Sequence, residues 1–262
     1  MRISFLVATY NTSDLTIRLV ESIHKYCDFS EGNKEIVIID DGSNKEEEKK
    51  LFDWFSNIKE PLPEPTIISS VVNKGIGSAM NQAVKHSSGD YMIRMDNDTE
   101  IIDKDFDEEM VKFLEDEKCI KIKVGLVTCL TDNISQPAQK IIIPDVFKED
   151  NEKILEFVKN RDIPLLRDCN RPQEAFSGFC MAFKREDFAK IGGFSTTTKI
   201  LLEDNLFYMD MLELGKKCVV SQKLFLKHYY HGTLSTLNPE EVQQQNIIAR
   251  KKWLERVGAI KK

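Results

Sequence analysis

The chain has 262 residues, 41% hydrophobic and 31% charged, with a formal net charge of -6 and a sequence pI near 5.4. That length suits one large domain or two tightly joined ones. The composition excludes a disordered chain, and the acidic balance argues against wholesale nucleic-acid binding, so no nucleic-acid partner is expected.

Six cysteines (Cys27, Cys119, Cys129, Cys169, Cys180 and Cys218) lie far apart without a C-x-x-C pair. No zinc ribbon or redox motif is visible, and reduced thiols in a cytosolic protein fit best. The start, MRISFLVATYN, lacks the long apolar stretch of a signal peptide, and no apolar run approaches the ~20 residues that span a bilayer. The expected location is the cytoplasm, with the inner face of a membrane as a variant of that reading.

The first hundred residues alternate strand and helix. ISFLVAT, EIVIID, TIISSVV and YMIRM are short apolar runs rich in β-branched residues. Helices are predicted from about Asp14 with Ser13 as cap, through KEEEKKLFDWF, and through GSAMNQAVKH. Such alternation predicts an α/β fold: a mostly parallel central sheet flanked by helices, with ligands beyond the carboxyl ends of the strands. Each strand exit carries polar residues: Thr9-Tyr10-Asn11, Asp40-Asp41-Gly42-Ser43, Asn73-Lys74-Gly75 and Asp96-Asn97-Asp98. After about Asp103 the pattern loosens into an acidic helix, a strand near VGLVTCL and an irregular stretch through IIIPDVFKEDN. Asn238 as cap, Pro239 at the first helical position and two glutamates then predict a C-terminal helix.

Several motifs carry two readings each. Asp96 and Asp98, two residues apart at a strand end, are ligands for a hard divalent cation in one reading and turn residues in the other. Asp41 accepts a hydrogen bond from a nucleobase N–H, or it sits in an ordinary Asp-Gly turn. GIGSAM at 75–80 nearly matches G-x-G-x-x-G, but Met80 occupies the third glycine position and the loop follows the third strand, which sets it apart from a dinucleotide site. Glu203 and Asp204 at a helix start either complement the helix dipole or supply a general base. His228 and His231 stand three apart with no H-E-x-x-H pattern, and His231 is a third metal ligand or phosphate contact only if Asp98 binds metal.

Together, ISFLVATYN, EIVIIDDGS, NKGIGSAMNQA, GDYMIRMDNDTEI, FSGFCMAFKREDFAKIGGF, LLEDNLFYMDMLELGKK and HYYHG resemble glycosyltransferase family 2, from about residue 3 to residue 232 and in family order. These are inverting enzymes with the GT-A nucleotide-sugar fold. The resemblance implies one continuous domain: a nucleotide-sugar-binding half over residues 1–103, an acceptor-binding half with the catalytic base over 104–235, and a C-terminal helix over 236–262. It implies that Ala8, Thr9, Tyr10, Asp41, Asn73, Gly75, Asn81, Asp96 and Asn97 hold the nucleotide sugar, and that Asp98 and His231 serve a divalent metal, Mn2+ or Mg2+. It further implies Asp204 as base with Glu203 beside it, and Ser177 and Gly178 at the acceptor. The donor is a nucleoside-diphosphate sugar, with uridine the family habit, and the acceptor a saccharide, a lipid carrier or a protein.

Departures from the family pattern are Leu206 and Asp210 on the helix after the base, where an acid and an arginine are common, and Ala79-Met80-Asn81 in place of A-R-N. Two other classes stay open: a nucleotide-sugar-binding protein without turnover, and a nucleotidyltransferase, although no glycine-rich basic phosphate loop is visible. The C-terminal helix, IIARKKWLERVGAIKK, either packs on its own domain with a solvated basic face or rests on an acidic membrane.

Overall fold

The computed structural model describes residues 1–58, 63–171, 174–229 and 238–258. Its first half is the expected alternation: β1 (Ile3–Thr9), α1 (Ser13–Tyr26), β2 (Lys34–Asp40), α2 (Lys45–Phe55), β3 (Thr66–Ser69), α3 (Ile76–His86) and β4 (Tyr91–Asp96). These strands pair in parallel in the order β3-β2-β1-β4, so the order reverses at β1. Thr9 is in register with Asp40, and Ala8 with Asp96. The polar strand exits therefore line up along one edge, at the point where adjacent connections diverge and leave a crevice.

The apolar runs are continuous because both faces of these strands are covered. Phe5, Val7, Ile36 and Ile38 belong to one core cluster, whereas Leu6, Val37 and Ile39 belong to the other. Two local expectations change. Thr12, not Ser13, is the N-cap of α1; Ser13 opens the helix, its N–H donating to Glu47 Oε2 at 2.8 Å and its hydroxyl to the Glu47 carbonyl at 2.7 Å, which ties α1 to α2. The third strand is shorter than TIISSVV, because Val71 is 98% exposed and the chain has already turned toward Asn73.

The second half comprises β5 (Thr99–Ile101), α4 (Phe106–Glu115), α5 (Glu117–Lys121), β6 (Val124–Leu130), a 3-10 turn (Asp145–Phe147), α6 (Asn151–Lys159), β7 (Leu166–Asp168), β8 (Cys180–Lys184), α7 (Arg185–Ile191), α8 (Glu203–Glu213), β9 (Lys217–His228) and α9 (Pro239–Arg256). β8 runs antiparallel between β4 and β6 and extends the sheet to β3-β2-β1-β4-β8-β6-β9-β5, with β7 on β9. The parallel half is thereby joined to a mixed half in one sheet. A buried Lys34–Asp107 ion pair at 2.8 Å fastens β2 to α4.

Asn238 caps α9 by accepting from the Glu240 N–H, with Pro239 at the first position as the sequence predicts. The helix lies on its own domain: Ala249 is buried, Trp253 packs against the core, Lys199 pairs with Glu241, and Arg256 pairs with Asp210 and Glu213. No helix among the described residues is long and apolar enough to cross a membrane.

Candidate active site

At the carboxyl edge of β1, β2 and β4 lies a cavity of about 550 Å3. Its wall includes Ala8, Thr9 and Tyr10 from the β1 exit, Asp41 after β2, and Asn73 and Gly75 before α3. Asp96, Asn97 and Asp98 from the adjacent β4 exit line it too, together with Ser177, Glu203 and Asp204. Sequence-distant residues thus meet because the parallel register aligns the strand ends and α8 begins over the same edge.

Two further expected residues lie outside the lining. Gly178 stands just behind the wall, its N–H donating to Asp204 Oδ2 at 2.7 Å. Asn81 does not line the cavity: its Nδ2 donates to the Phe194 carbonyl at 2.9 Å and its Oδ1 accepts from the Phe194 N–H at 2.8 Å, so the amide is spent on fastening α3 to the turn after α7. His231 lies outside the described residues.

Asp41 is held by backbone. It accepts from Gly75 N–H at 2.7 Å and from Lys74 N–H at 3.1 Å. Burial raises its pKa and those two donors oppose the rise. Gly75 makes the arrangement possible: its φ is 92°, and a Cβ there would run into the Lys199 backbone, whose carbonyl accepts from the Ile76 N–H at 2.8 Å.

The paired acids gain a neighbour in His228, to which the sequence gives no site role; the expected third ligand is His231. β5 pairs with β9 so that Thr99 faces His228, and Tyr229 N–H donates to the Asp98 carbonyl at 2.8 Å. This register brings His228 Nε2 within 3.4 Å of Asp98 Oδ1, while the imidazole stacks on Phe179. One donor atom from each of Asp96, Asp98 and His228 falls within 4.8 Å of the others. Two carboxylates and an imidazole suit a divalent cation such as Mn2+. Burial lowers the His228 pKa, but the Asp98 hydrogen bond and charge outweigh it, and the net shift is upward. Asp96 is raised by its desolvated surroundings, against the pull of Arg94 and with Asp98 adding to the rise.

Arg94 is the residue that sequence reasoning passed over. Its guanidinium is buried in the cavity lining, with Nη2 donating to Glu203 Oε1 at 2.7 Å and to Asp96 Oδ1 at 3.3 Å. A signal was present: an arginine inside the apolar strand YMIRM must find buried acids. Burial, then the charge of Asp204, pushes the Glu203 pKa up to about 7, with Arg94 holding it down. Asp204 keeps its carboxylate aimed by two backbone donors, Gly178 N–H and Asn205 N–H, the latter at 2.7 Å.

Leu201 and Leu202, just before α8, both take left-handed backbone conformations, with φ of 67° and 77°. Such conformations are costly for leucine. Thr198 Oγ1 holds the turn by donating to the Leu201 carbonyl at 2.6 Å, and both leucines line the cavity.

The architecture is that of the GT-A glycosyltransferases. A mannosyltransferase of Pyrobaculum calidifontis, solved with GDP-Man and Mn2+, superposes with a TM-score of 0.65 at 20% identity, covering 97% of this chain and 64% of its own. GalNAc-T7, solved with UDP, GalNAc and Mn2+, gives 0.64 at 18% identity over 87% of this chain and 44% of its own. TarS of S. aureus (residues 1–349) gives 0.57 at 16% identity over 100% and 73%.

The family model described as Glycosyl transferase family 2 matches residues 4–192, and the chain belongs to that family. Among curated relatives, a poly-beta-1,6-N-acetyl-D-glucosamine synthase of Staphylococcus epidermidis is 32% identical over 103 residues, 39% of this chain and 23% of the relative. Its counterpart in Staphylococcus aureus is 31% identical over 126 residues, 48% of this chain and 27% of the relative. The matched stretch is thus about a quarter of the length of these relatives.

Proposed function

We propose that this protein is an inverting glycosyltransferase that moves a sugar from a nucleoside-diphosphate sugar, taken here as a UDP-sugar, to an acceptor hydroxyl in polysaccharide or glycoconjugate synthesis. The observation that carries this reading is that Asp41, Asp96, Asp98 and Asp204 all line one cavity, with Arg94 bridging Asp96 to Glu203, the neighbour of Asp204. Membership of the family supports it, and so do the polymer-synthase names of the curated relatives.

In this reading the base and ribose lie along the β1 and β2 exits. Asp41, fixed by Lys74 and Gly75 N–H, has acceptor capacity left for a nucleobase N–H. Asp96, Asp98 and His228 would hold a divalent cation. The family resemblance gives His231 to the diphosphate. When bound, the cation supplies Lewis-acid stabilisation of the charge on the departing diphosphate. Asp204 accepts the proton of the attacking hydroxyl as the new glycosidic bond forms at the anomeric carbon and the bond to the diphosphate breaks on the opposite face. Ser177 stands at the acceptor side, and Gly178 N–H keeps the Asp204 carboxylate from turning away. Glu203, paired to Arg94, positions α8 and has no direct part in proton transfer.

We place the protein in the cytoplasm, with the exposed Ile247 and Lys251 of α9 as the side open to a membrane surface. Thermal-shift titration against nucleoside diphosphates, with and without Mn2+, tests the donor half. The expected result is a Mn2+-dependent rise for one nucleotide, UDP first, that is lost in Asp98→Ala. No rise with any diphosphate from a folded protein would remove the donor-site reading.

A further inference from the structure

A second cavity of about 320 Å3 opens beside the first, on the side of Asn205 and away from Asp41. The two share Gln136, Leu201, Leu202, Asn205 and Asn246 in their walls, so they adjoin, and Asp204, which lines the first, is the chain neighbour of the shared Asn205. The outer chamber is completed by Trp253 and Arg250 of α9. At this size it falls at the lower end of the range that small-molecule sites occupy.

The chemistry of that wall is distinctive. Gln136 and Asn246 make no side-chain hydrogen bond among the described residues, and neither does the indole N–H of Trp253. Asn205 spends its Nδ2 on the Phe176 carbonyl at 2.6 Å, which fixes the side chain and leaves Oδ1 as an acceptor. Neutral amides offer donors and acceptors at matched strength to hydroxyl groups, and an indole offers an apolar face with a polar edge. Arg250 is the only charged residue among the described ones in this wall. Aliphatic surface from Ala175, Leu201, Leu202 and Ala249 makes up the rest of the wall, and this mixture of amides, aromatic face and apolar patches suits the hydroxyl edge and apolar face of a sugar ring.

We infer that the outer chamber is an acceptor subsite: it binds the sugar unit preceding the one whose hydroxyl reaches Asp204, with the ring against Trp253 and its hydroxyls on Gln136, Asn205 and Asn246. This rests on the transferase reading above and goes beyond it by making the acceptor an oligosaccharide of two or more units. The inner unit occupies the cavity beside Asp204 and Ser177; the next reaches α9. The same packing gives α9 a reason to be pinned by its Lys199–Glu241 and Arg256–Asp210 pairs, since the platform must hold still for a ligand to stack on it.

The chain has two tryptophans, and Trp54 lies on α2, far from this chamber. In a Trp54→Phe background Trp253 is the sole indole reporter. Its fluorescence is titrated with β-1,6- and β-1,4-linked N-acetylglucosamine mono- to tetrasaccharides and with a uronate-containing tetrasaccharide. UDP with Mn2+ in a parallel thermal shift reports the donor site independently. The expected result is a saturable change with at least one oligosaccharide, tighter than with its monosaccharide and weakened ~3- to 10-fold by Asn246→Ala, the scale of a lost neutral hydrogen bond. If no oligosaccharide perturbs Trp253 while UDP still stabilises the protein, the subsite is overturned and the transferase reading stands. If oligosaccharides bind and no nucleotide does, the chamber is a saccharide site and it is the transferase reading that falls.

Discussion

Arg94 and Glu203 meet at 2.7 Å in the cavity lining, joining β4, at whose end the paired acids stand, to α8, which carries Asp204. The guanidinium also reaches Asp96, so a single buried cation links the Asp96 carboxylate to Glu203 at the start of α8. Removing one member of a buried pair leaves the other uncompensated, at a cost of about 3–5 kcal/mol. Arg94→Met is therefore expected to lose that order of stability in urea denaturation, and the double variant Arg94→Met, Glu203→Gln to recover most of it. A double variant no more stable than Arg94→Met would mean that Arg94 acts through other partners.

Glu203 gives the fold a pH signature. Its pKa is pushed up to about 7 from an ordinary 4.5, so the folded state holds this proton more tightly than the unfolded chain does. The stability it contributes is full below about 4.5 and is lost as pH rises through about 7, an effect of roughly 3 kcal/mol at most. Melting curves of the wild type and of Glu203→Gln between pH 5 and 8 check this. The wild type is expected to lose ground to the variant as pH rises; parallel curves would refute the shift.

Gly178 is a steric sensor of the base. A Cβ at this position would sit 2.7 Å from Asp204 Cβ and collide with Arg94 Nη1. Gly178→Ala is expected to displace Asp204 and lower kcat by about 10- to 100-fold, the penalty of small misplacements of a reacting group. Nucleotide affinity, which the proposal assigns to Asp41 and not to Gly178, is expected to hold. Steady-state kinetics alongside nucleotide titration separates the two.

His228 is expected to matter for metal. Replacing it with alanine removes one of three grouped donors, and the Mn2+ concentration for half-maximal activity is expected to rise by at least the ~10-fold that loss of a supporting partner costs. Because the His228 pKa is raised, proton and metal compete at this ring, and apparent Mn2+ affinity in the wild type is expected to fall as pH drops through that raised value. Isothermal titration with Mn2+ at several pH values reads both. An unchanged Mn2+ requirement in His228→Ala would place the third donor elsewhere.

Much of the parallel half was legible because its signals are local. Apolar runs such as EIVIID and strand-end acids such as Asp41 announce buried parallel strands and a crevice from short windows of sequence. The site's remaining parts depend on pairings that no local window carries. His228 joins the acids only because β5 pairs with β9 in the register Thr99 to His228, across more than a hundred residues. Asn81 reads as a site residue by its place in the motif, yet its amide is claimed by Phe194 from the far side of the chain. For α9 the mixed apolar and basic residues favour packing on its own domain over a membrane surface without excluding the latter. Trp253 and Ala249 seated on the core give it the domain contact, and its exposed side keeps the basic residues.

The most direct test of the central claim is release of nucleoside diphosphate from UDP-sugars with Mn2+ present, comparing wild type with Asp204→Asn. The wild type is expected to release UDP from at least one donor, and Asp204→Asn to bind UDP equally well while losing ~10²- to 10⁴-fold in rate, as for a removed general base. No release by the wild type from any nucleotide sugar, or equal rates in the two proteins, would contradict the assignment of this cavity as a glycosyl-transfer site.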